Sequence, residues 1–140
     1  MKSRLNMKER MIRSITMRRG EIIMRSDFTR MGSQSQISRL LADFVSEGRL
    51  VRLGYGIFAK SRISSISGKA VPREPLEVLA QEAFRRLMIE AKPGKAQREY
   101  TSGQSTQVPV QAVFDTGQRR ISRKLTVGNR KVRYENDYSA

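Results

Sequence analysis

The sequence predicts an α+β fold in two parts: a helix-rich N-terminal half that closes with a hairpin, then a small helix-plus-β C-terminal region. Three observations predict it. Ile37, Leu40, Leu41, Phe44 and Val45 fall at i, i+3, i+4, i+7 and i+8, one continuous helical face. Two short β-prone runs, 49–53 and 57–60, flank Gly54-Tyr55-Gly56, the pattern of a hairpin. A second apolar helical stretch over 76–91 precedes three β-prone segments near the C-terminus.

Taken in order, residues 4–19 predict the first helix. Met7, Met11 and Ile15 recur at i+4, with Leu5 and Ile12 alongside, and Gly20 stands where a C-terminal cap belongs. Ile22, Ile23 and Met24 predict a short strand. Ser26 and Asp27 are capping types, and they open a helical turn through Met31 that Gly32 closes. Ser33, followed three residues later by Gln36, forms a capping box for a helix over 33–47, which Gly48 ends. At about 100° per residue, Ser35, Arg39, Ala42 and Ser46 lie opposite its apolar face, with Gln36 and Asp43 on one flank and Ser38 on the other.

After the hairpin, Ser, Gly and basic residues crowd 61–71, and a linker is expected over 63–75. The next helix, 76–91, carries Val78, Leu79, Ala83, Phe84, Leu87 and Met88 as its stripe, and Lys92-Pro93-Gly94 stops it. Strands are expected at 109–115, 119–127 and 130–135, with turns at Thr116-Gly117-Gln118 and Gly128-Asn129. The expected domains are therefore 1–62 and 76–140, joined by that linker.

Composition narrows the function. The 140 residues include no His, no Cys and no Trp. Zinc fingers, zinc enzymes, disulfide scaffolds and Ser-His-Asp triads are thereby excluded. No Gly-rich phosphate loop appears, so no catalytic residue, cofactor or metal is expected and an enzyme is the least favoured class. No apolar run approaches the roughly 18 residues that a membrane span needs, and the basic N-terminus lacks a signal-peptide apolar region. The expectation is a cytoplasmic protein with no membrane partner.

The 28 Lys+Arg against 13 Asp+Glu leave a net charge of +15. A polyanion is the expected partner, with nucleic acid the default over anionic lipid or an acidic protein. The excess is not uniform. Residues 1–25 hold eight basic and two acidic side chains, 49–71 hold five and none, and 93–140 hold nine and four. Residues 26–48 hold only Arg30 and Arg39 against Asp27, Asp43 and Glu47, and 72–92 balance. Basic blocks thus alternate with nearly neutral helical segments, unlike a disordered basic tail.

Helix, strand, short helix, helix and hairpin in that order predict a winged helix-turn-helix, whose recognition helix enters the major groove. On the helix over 33–47, the base-reading candidates are Gln34, Ser35, Gln36, Ser38 and Arg39: amides suit adenine, arginine suits guanine, and serines suit bases or phosphates. Gln36 has an alternative role as a cap alone, and Arg39 an i,i+4 pair with Asp43. The backbone candidates are Arg18, Arg19, Arg25, Ser33, Arg49, Arg52, Tyr55 and Lys60. The flanks supply affinity and the neutral helix supplies sequence preference. With about six phosphates neutralised, log K should fall against log salt with a slope near −5. The plain alternatives are solvated charges for each basic residue and a turn-covering role for Tyr55. A second basic surface comprises Arg119, Arg120, Arg123, Lys124, Arg130, Lys131 and Arg133, with no acidic residue from 116 to 134. It suits a second nucleic-acid contact, an acidic protein, or charge-protected strand edges.

Residues 25–59 also resemble a known family. Asp27-Phe28 followed by Gly32-Ser33, the strand Gly48-Arg49-Leu50-Val51-Arg52 and the hairpin around Tyr55 resemble the winged-helix domain of AbiEi-like antitoxins. Ser105-Thr106-Gln107-Val108-Pro109 and the strands after it look like the small C-terminal part of short relatives. The resemblance covers roughly 10–60 and, more loosely, 72–135. It implies a bacterial type IV toxin–antitoxin antitoxin that binds double-stranded operator DNA, as a homodimer or otherwise, and represses its own operon. It further implies countering a nucleotidyltransferase-type toxin protein, and a nucleoid-associated location when bound. The competing expectations are a basic RNA-binding or ribosome-associated protein and an adaptor for a partner protein. Four Tyr and five Phe, mostly on apolar faces, leave few stacking platforms for single strands.

Overall fold

The computed structural model describes residues 5–107, 109 and 111–135. The fold is α+β, with four α-helices and two four-stranded sheets among the described residues. The chain divides into two compact units, Met1–Arg73 and Glu74–Ala140.

Unit 1 begins with α1, Met7–Met17. It is shorter than the expected 4–19, and Arg4 lies outside the described residues. Asn6 caps its start by accepting from the Glu9 N–H at 2.8 Å. The helix ends before Gly20, because Arg18 is already extended and its carbonyl accepts from the Lys60 ammonium. Strand β1, Ile22–Met24, follows. The next turn is a 3-10 helix over Arg25–Phe28, in which the Asp27 carboxylate accepts from the Met24 N–H at 2.9 Å. Helix α2, Gln34–Ser46, has the expected capping box at Ser33. Its end wraps into a turn in which Arg49 N–H reaches the Phe44 carbonyl at 2.8 Å, with Gly48 at φ 79°. Glycine occupies that left-handed position without steric cost.

Strands β2, Leu50–Gly54, and β3, Ile57–Ile63, form the hairpin. Strand β3 is central, with β1 and β2 on its two sides. The core behind this sheet joins Met11, Ile23, Phe28, Ile37, Leu41, Phe44, Leu50 and Phe58. The apolar stripes of α1 and α2 thus meet one sheet face, which leaves the other face of α2 in solvent. The stretch expected as a linker, 63–75, instead holds β4, Ala70–Pro72, paired antiparallel with the end of β3. Its polar composition reflects a tight turn, where Ser64 Oγ accepts from the N–H groups of Ile66 and Ser67, both at 3.2 Å.

Unit 2 opens with α3, Leu76–Arg86. Leu76, Leu79, Ala80, Ala83 and Phe84 are buried, but Val78 and Met88, expected in the stripe, are 48% and 85% exposed. The helix stops before Met88, which takes φ 58° in a left-handed turn. Val78 instead borders a groove of about 340 Å³ with Pro93, Ala112, Val113 and Phe114. Lys92-Pro93-Gly94 is more than a stop: Lys92 and Pro93 form β5, and Gly94 caps a fourth helix, α4, Lys95–Thr101, in addition to the expected elements. A Cβ at Gly94 would lie 2.9 Å from Val113 Cγ1 and 3.1 Å from the Val113 carbonyl oxygen. The side-chain-free residue lets the chain approach the sheet closely.

The first two expected C-terminal strands are present but shorter, and the third spans its expected residues. Strand β6 is Ala112–Asp115, β7 is Thr126–Val127 and β8 is Arg130–Glu135. Val110, inside the first expected strand, lies outside the described residues. Residues 119–125 run irregularly, although Leu125 is fully buried and its carbonyl accepts from the Val132 N–H at 2.9 Å. The order is β5-β6-β8-β7, with β6 and β8 parallel. Phe84 packs edge-on against Phe114, centroids 5.1 Å apart, which holds α3 to the sheet.

Candidate nucleic-acid interface

The outward face of α2 is built as the wheel requires. Ile37, Leu41 and Phe44 are buried, while Gln34, Ser35, Gln36, Arg39, Ala42, Asp43 and Ser46 are exposed and Ser38 is half-buried. The surface is polar, and Ser35, Ala42 and Ser46 keep it low around the longer Gln34, Gln36 and Arg39 side chains. Arg39 rises from it with no hydrogen bond or ion pair among the described residues, Asp43 included.

Two candidates on this helix have structural duties. The Ser33 hydroxyl accepts from the Gln36 N–H at 3.2 Å, and the Gln36 amide oxygen accepts from the Ser33 N–H at 3.0 Å. Both side chains complete the helix start, and the Gln36 amide nitrogen stays available to donate. Gln34, Ser35 and Arg39 carry no such task.

The other elements meet the N-terminal half of α2 through Arg25. Its guanidinium carbon lies 4.9 Å from the Tyr55 ring centroid. One guanidinium nitrogen reaches Ser38 Oγ at 3.5 Å. The Arg25 backbone N–H also donates to the Gly56 carbonyl at 3.0 Å. Residue 25, helix α2 and the hairpin tip therefore form one surface. The Tyr55 side chain is 75% exposed there. Hydrogen bonding to Arg25 and the charge of Arg25, with a smaller contribution from Arg52, hold the Tyr55 phenol below its ordinary value.

The remaining basic candidates divide. Arg19 is exposed and forms no ion pair among the described residues. Arg52 is exposed and stacks over the Phe58 ring at 5.5 Å. Arg18 pairs with Asp27 at 3.5 Å, and the Lys60 ammonium is held by the Arg18 carbonyl. Arg49 pairs with Glu47 at 3.0 Å, and Lys8 joins the same carboxylate at 2.6 Å. Those two cations hold Glu47 below the usual carboxylate range. Arg18, Arg49 and Lys60 thus have internal partners that an external anion must displace.

In unit 2 the second basic set also divides. Arg130 is paired with Glu77, whose carboxyl it holds low. Arg119 donates to the Met88 carbonyl at 3.3 Å, and the Arg123 carbonyl accepts from the Tyr134 hydroxyl at 2.6 Å. Arg120 is exposed, and Arg123 is half-buried. Lys124, Lys131 and Arg133 are exposed and form no ion pair among the described residues. Lys131 and Arg133, two apart on β8, share one sheet face.

The meeting of Arg25, Ser38 and Tyr55 was not legible in the sequence. The partners lie 13 and 30 positions from Arg25, and no periodicity joins them. Only strand register brings the hairpin tip beside residue 25, through Met24 opposite Ile57.

The molecule is thus a two-unit α+β protein with a polar, hairpin-flanked helical face beside exposed arginines. It belongs to a family of unknown function, DUF6088, whose profile matches residues 8–139. No curated protein and no solved structure matches the chain.

Proposed function

We propose that unit 1 is a winged helix-turn-helix that binds double-stranded DNA. On this reading α2 is the recognition helix, the β2–β3 hairpin is the wing, and the protein is a cytoplasmic transcriptional regulator. One observation carries the reading: α2 presents a polar, solvent-facing surface with a lone unpaired arginine, and the hairpin tip, with Arg25 and Arg52 beside it, adjoins its N-terminal half. A major groove accepts a helix of that relief, and the surrounding arginines suit its phosphates. The resemblance of 25–59 to AbiEi-like antitoxins supports the finer reading of an antitoxin-type autorepressor with a nucleotidyltransferase-type toxin as partner. No cofactor is needed for either role.

The test is binding to the duplex upstream of the protein's own gene, with a scrambled duplex of equal length as competitor. Wild type should prefer the upstream duplex, and Arg39→Ala should lower that specific affinity by roughly 1–3 kcal/mol while sparing the scrambled one. Equal losses on both duplexes would remove Arg39 and its helix from sequence reading. Tighter binding to single-stranded RNA than to either duplex would favour the RNA-binding alternative.

A further inference from the structure

Three donors of different elements converge where α2 meets the hairpin. The Arg25 guanidinium lies 4.9 Å from the Tyr55 ring and 3.5 Å from Ser38 Oγ. Arg25 forms no ion pair among the described residues. The acidic residue closest in sequence, Asp27, is committed to the Met24 N–H and to Arg18. The guanidinium carries five N–H donors; Ser38 Oγ and the Tyr55 phenol take some of them, and the rest can meet an oxyanion. A serine hydroxyl and a tyrosine phenol beside it each add one donor.

From this geometry we infer that Arg25, Ser38 and Tyr55 together form a binding corner for one phosphodiester group of duplex DNA. The inference rests on the DNA-binding reading and sharpens it in two ways. Ser38 becomes a phosphate ligand rather than a base reader. Arg25 becomes the residue that sets the spacing between recognition helix and wing, because both touch the same guanidinium. Sequence reading on α2 is then left to Gln34, Ser35, Arg39 and the amide nitrogen of Gln36.

The experiment measures binding of two unrelated 20-base-pair fluorescein-labelled duplexes by anisotropy across a salt series. Arg25→Gln should weaken both duplexes equally, by about tenfold or more. It should also reduce the slope of log K against log salt by about one. Ser38→Ala and Tyr55→Phe should give smaller losses, again the same for both sequences. Arg25→Lys should keep the slope, since the charge remains, but lose affinity with the fork. In the free protein, the Tyr55 phenol, read as the ultraviolet difference from Tyr55→Phe, should titrate at higher pH after Arg25→Gln. That measurement reports the corner without DNA. Should Arg25→Gln unfold, the Arg25→Lys and Ser38→Ala arms still decide. An unchanged salt slope in Arg25→Gln overturns the corner. So does a Ser38→Ala loss confined to one duplex, which would make Ser38 a base reader and leave DNA binding intact. Absence of salt-dependent binding by wild type to any duplex overturns the DNA reading and the corner with it.

Discussion

At the scale of single residues, the same side-chain type serves different ends according to its neighbours. Arg18 is drawn inward to Asp27, Arg49 is held by Glu47, and Arg39 stands in solvent. Composition counts the three alike, yet only Arg39 meets an incoming anion without first breaking an ion pair. Backbone conformation shows a comparable contrast. Helices α2 and α3 end in the same kind of turn, in which a later N–H reaches back to Phe44 in one and to Phe84 in the other, both at 2.8 Å. Gly48 occupies the left-handed position in the first and Met88, at φ 58°, in the second. A side chain there costs about 1–2 kcal/mol, part of which the stiffer unfolded chain offsets. Met88→Gly should therefore raise stability by about 0.5–1 kcal/mol in urea unfolding. The side chain is 85% exposed, so little packing is lost. A fall in stability would mean that the methionine makes contacts that outweigh the strain.

At the scale of elements, α2 owes its sharp start to the reciprocal hydrogen bonds of Ser33 and Gln36. Ser33→Ala removes one side of the capping box and should cost about 1 kcal/mol. Chemical denaturation of the variant, compared with Ser35→Ala, checks this, because Ser35 is exposed and caps nothing. Equal stabilities would show that the box is dispensable. The close approach of the chain to β6 depends similarly on Gly94, where Val113 leaves no room for a Cβ. Here the sequence cue was ambiguous. Pro followed by Gly reads as a helix stop, and it is also what a two-residue strand needs to lie against a neighbour and turn at once into α4.

For the whole molecule, carboxylates held low by cationic and N–H partners make stability depend on acid. In unit 2, Asp115 accepts from the Gly117 N–H at 2.8 Å and pairs with Arg98 at 3.3 Å and Lys92 at 3.8 Å. The Gly117 hydrogen bond, followed by the charge of Lys92 and the contacts of Arg98, holds Asp115 below the usual carboxylate range. A lowered folded pKa means that the stabilisation is fully present above the unfolded value, about 4, and is lost as pH falls. Asp115→Asn should therefore lower the thermal midpoint at pH 7, and the gap from wild type should close progressively below about pH 4. A gap constant from pH 7 to pH 3 would show that the carboxylate charge contributes nothing. Salt acts at the same scale. Intact protein bound to duplex DNA should lose affinity with a slope near −5 in log K against log salt if about six phosphates are met.

The local patterns of the chain were sufficient for much of this. The helical period of Ile37, Leu41 and Phe44, the capping box and the Gly-Tyr-Gly turn each involve residues a few positions apart, so their physics is local and legible. The solvent-facing set on α2 followed from the same period. What lay beyond the sequence depends on which distant segments meet. Within 63–75, Ala70–Pro72 became a strand because β3 runs long enough to pair with it. Val78 left the core because Leu76, Leu79, Ala80, Ala83 and Phe84 already cover the inner face of α3. The division of the arginines into paired and solvent-facing, and the joining of Arg25 to Ser38 and Tyr55, were decided by the tertiary structure alone. Ion pairs and stacking act over a few ångströms, and folding, not sequence separation, sets those distances.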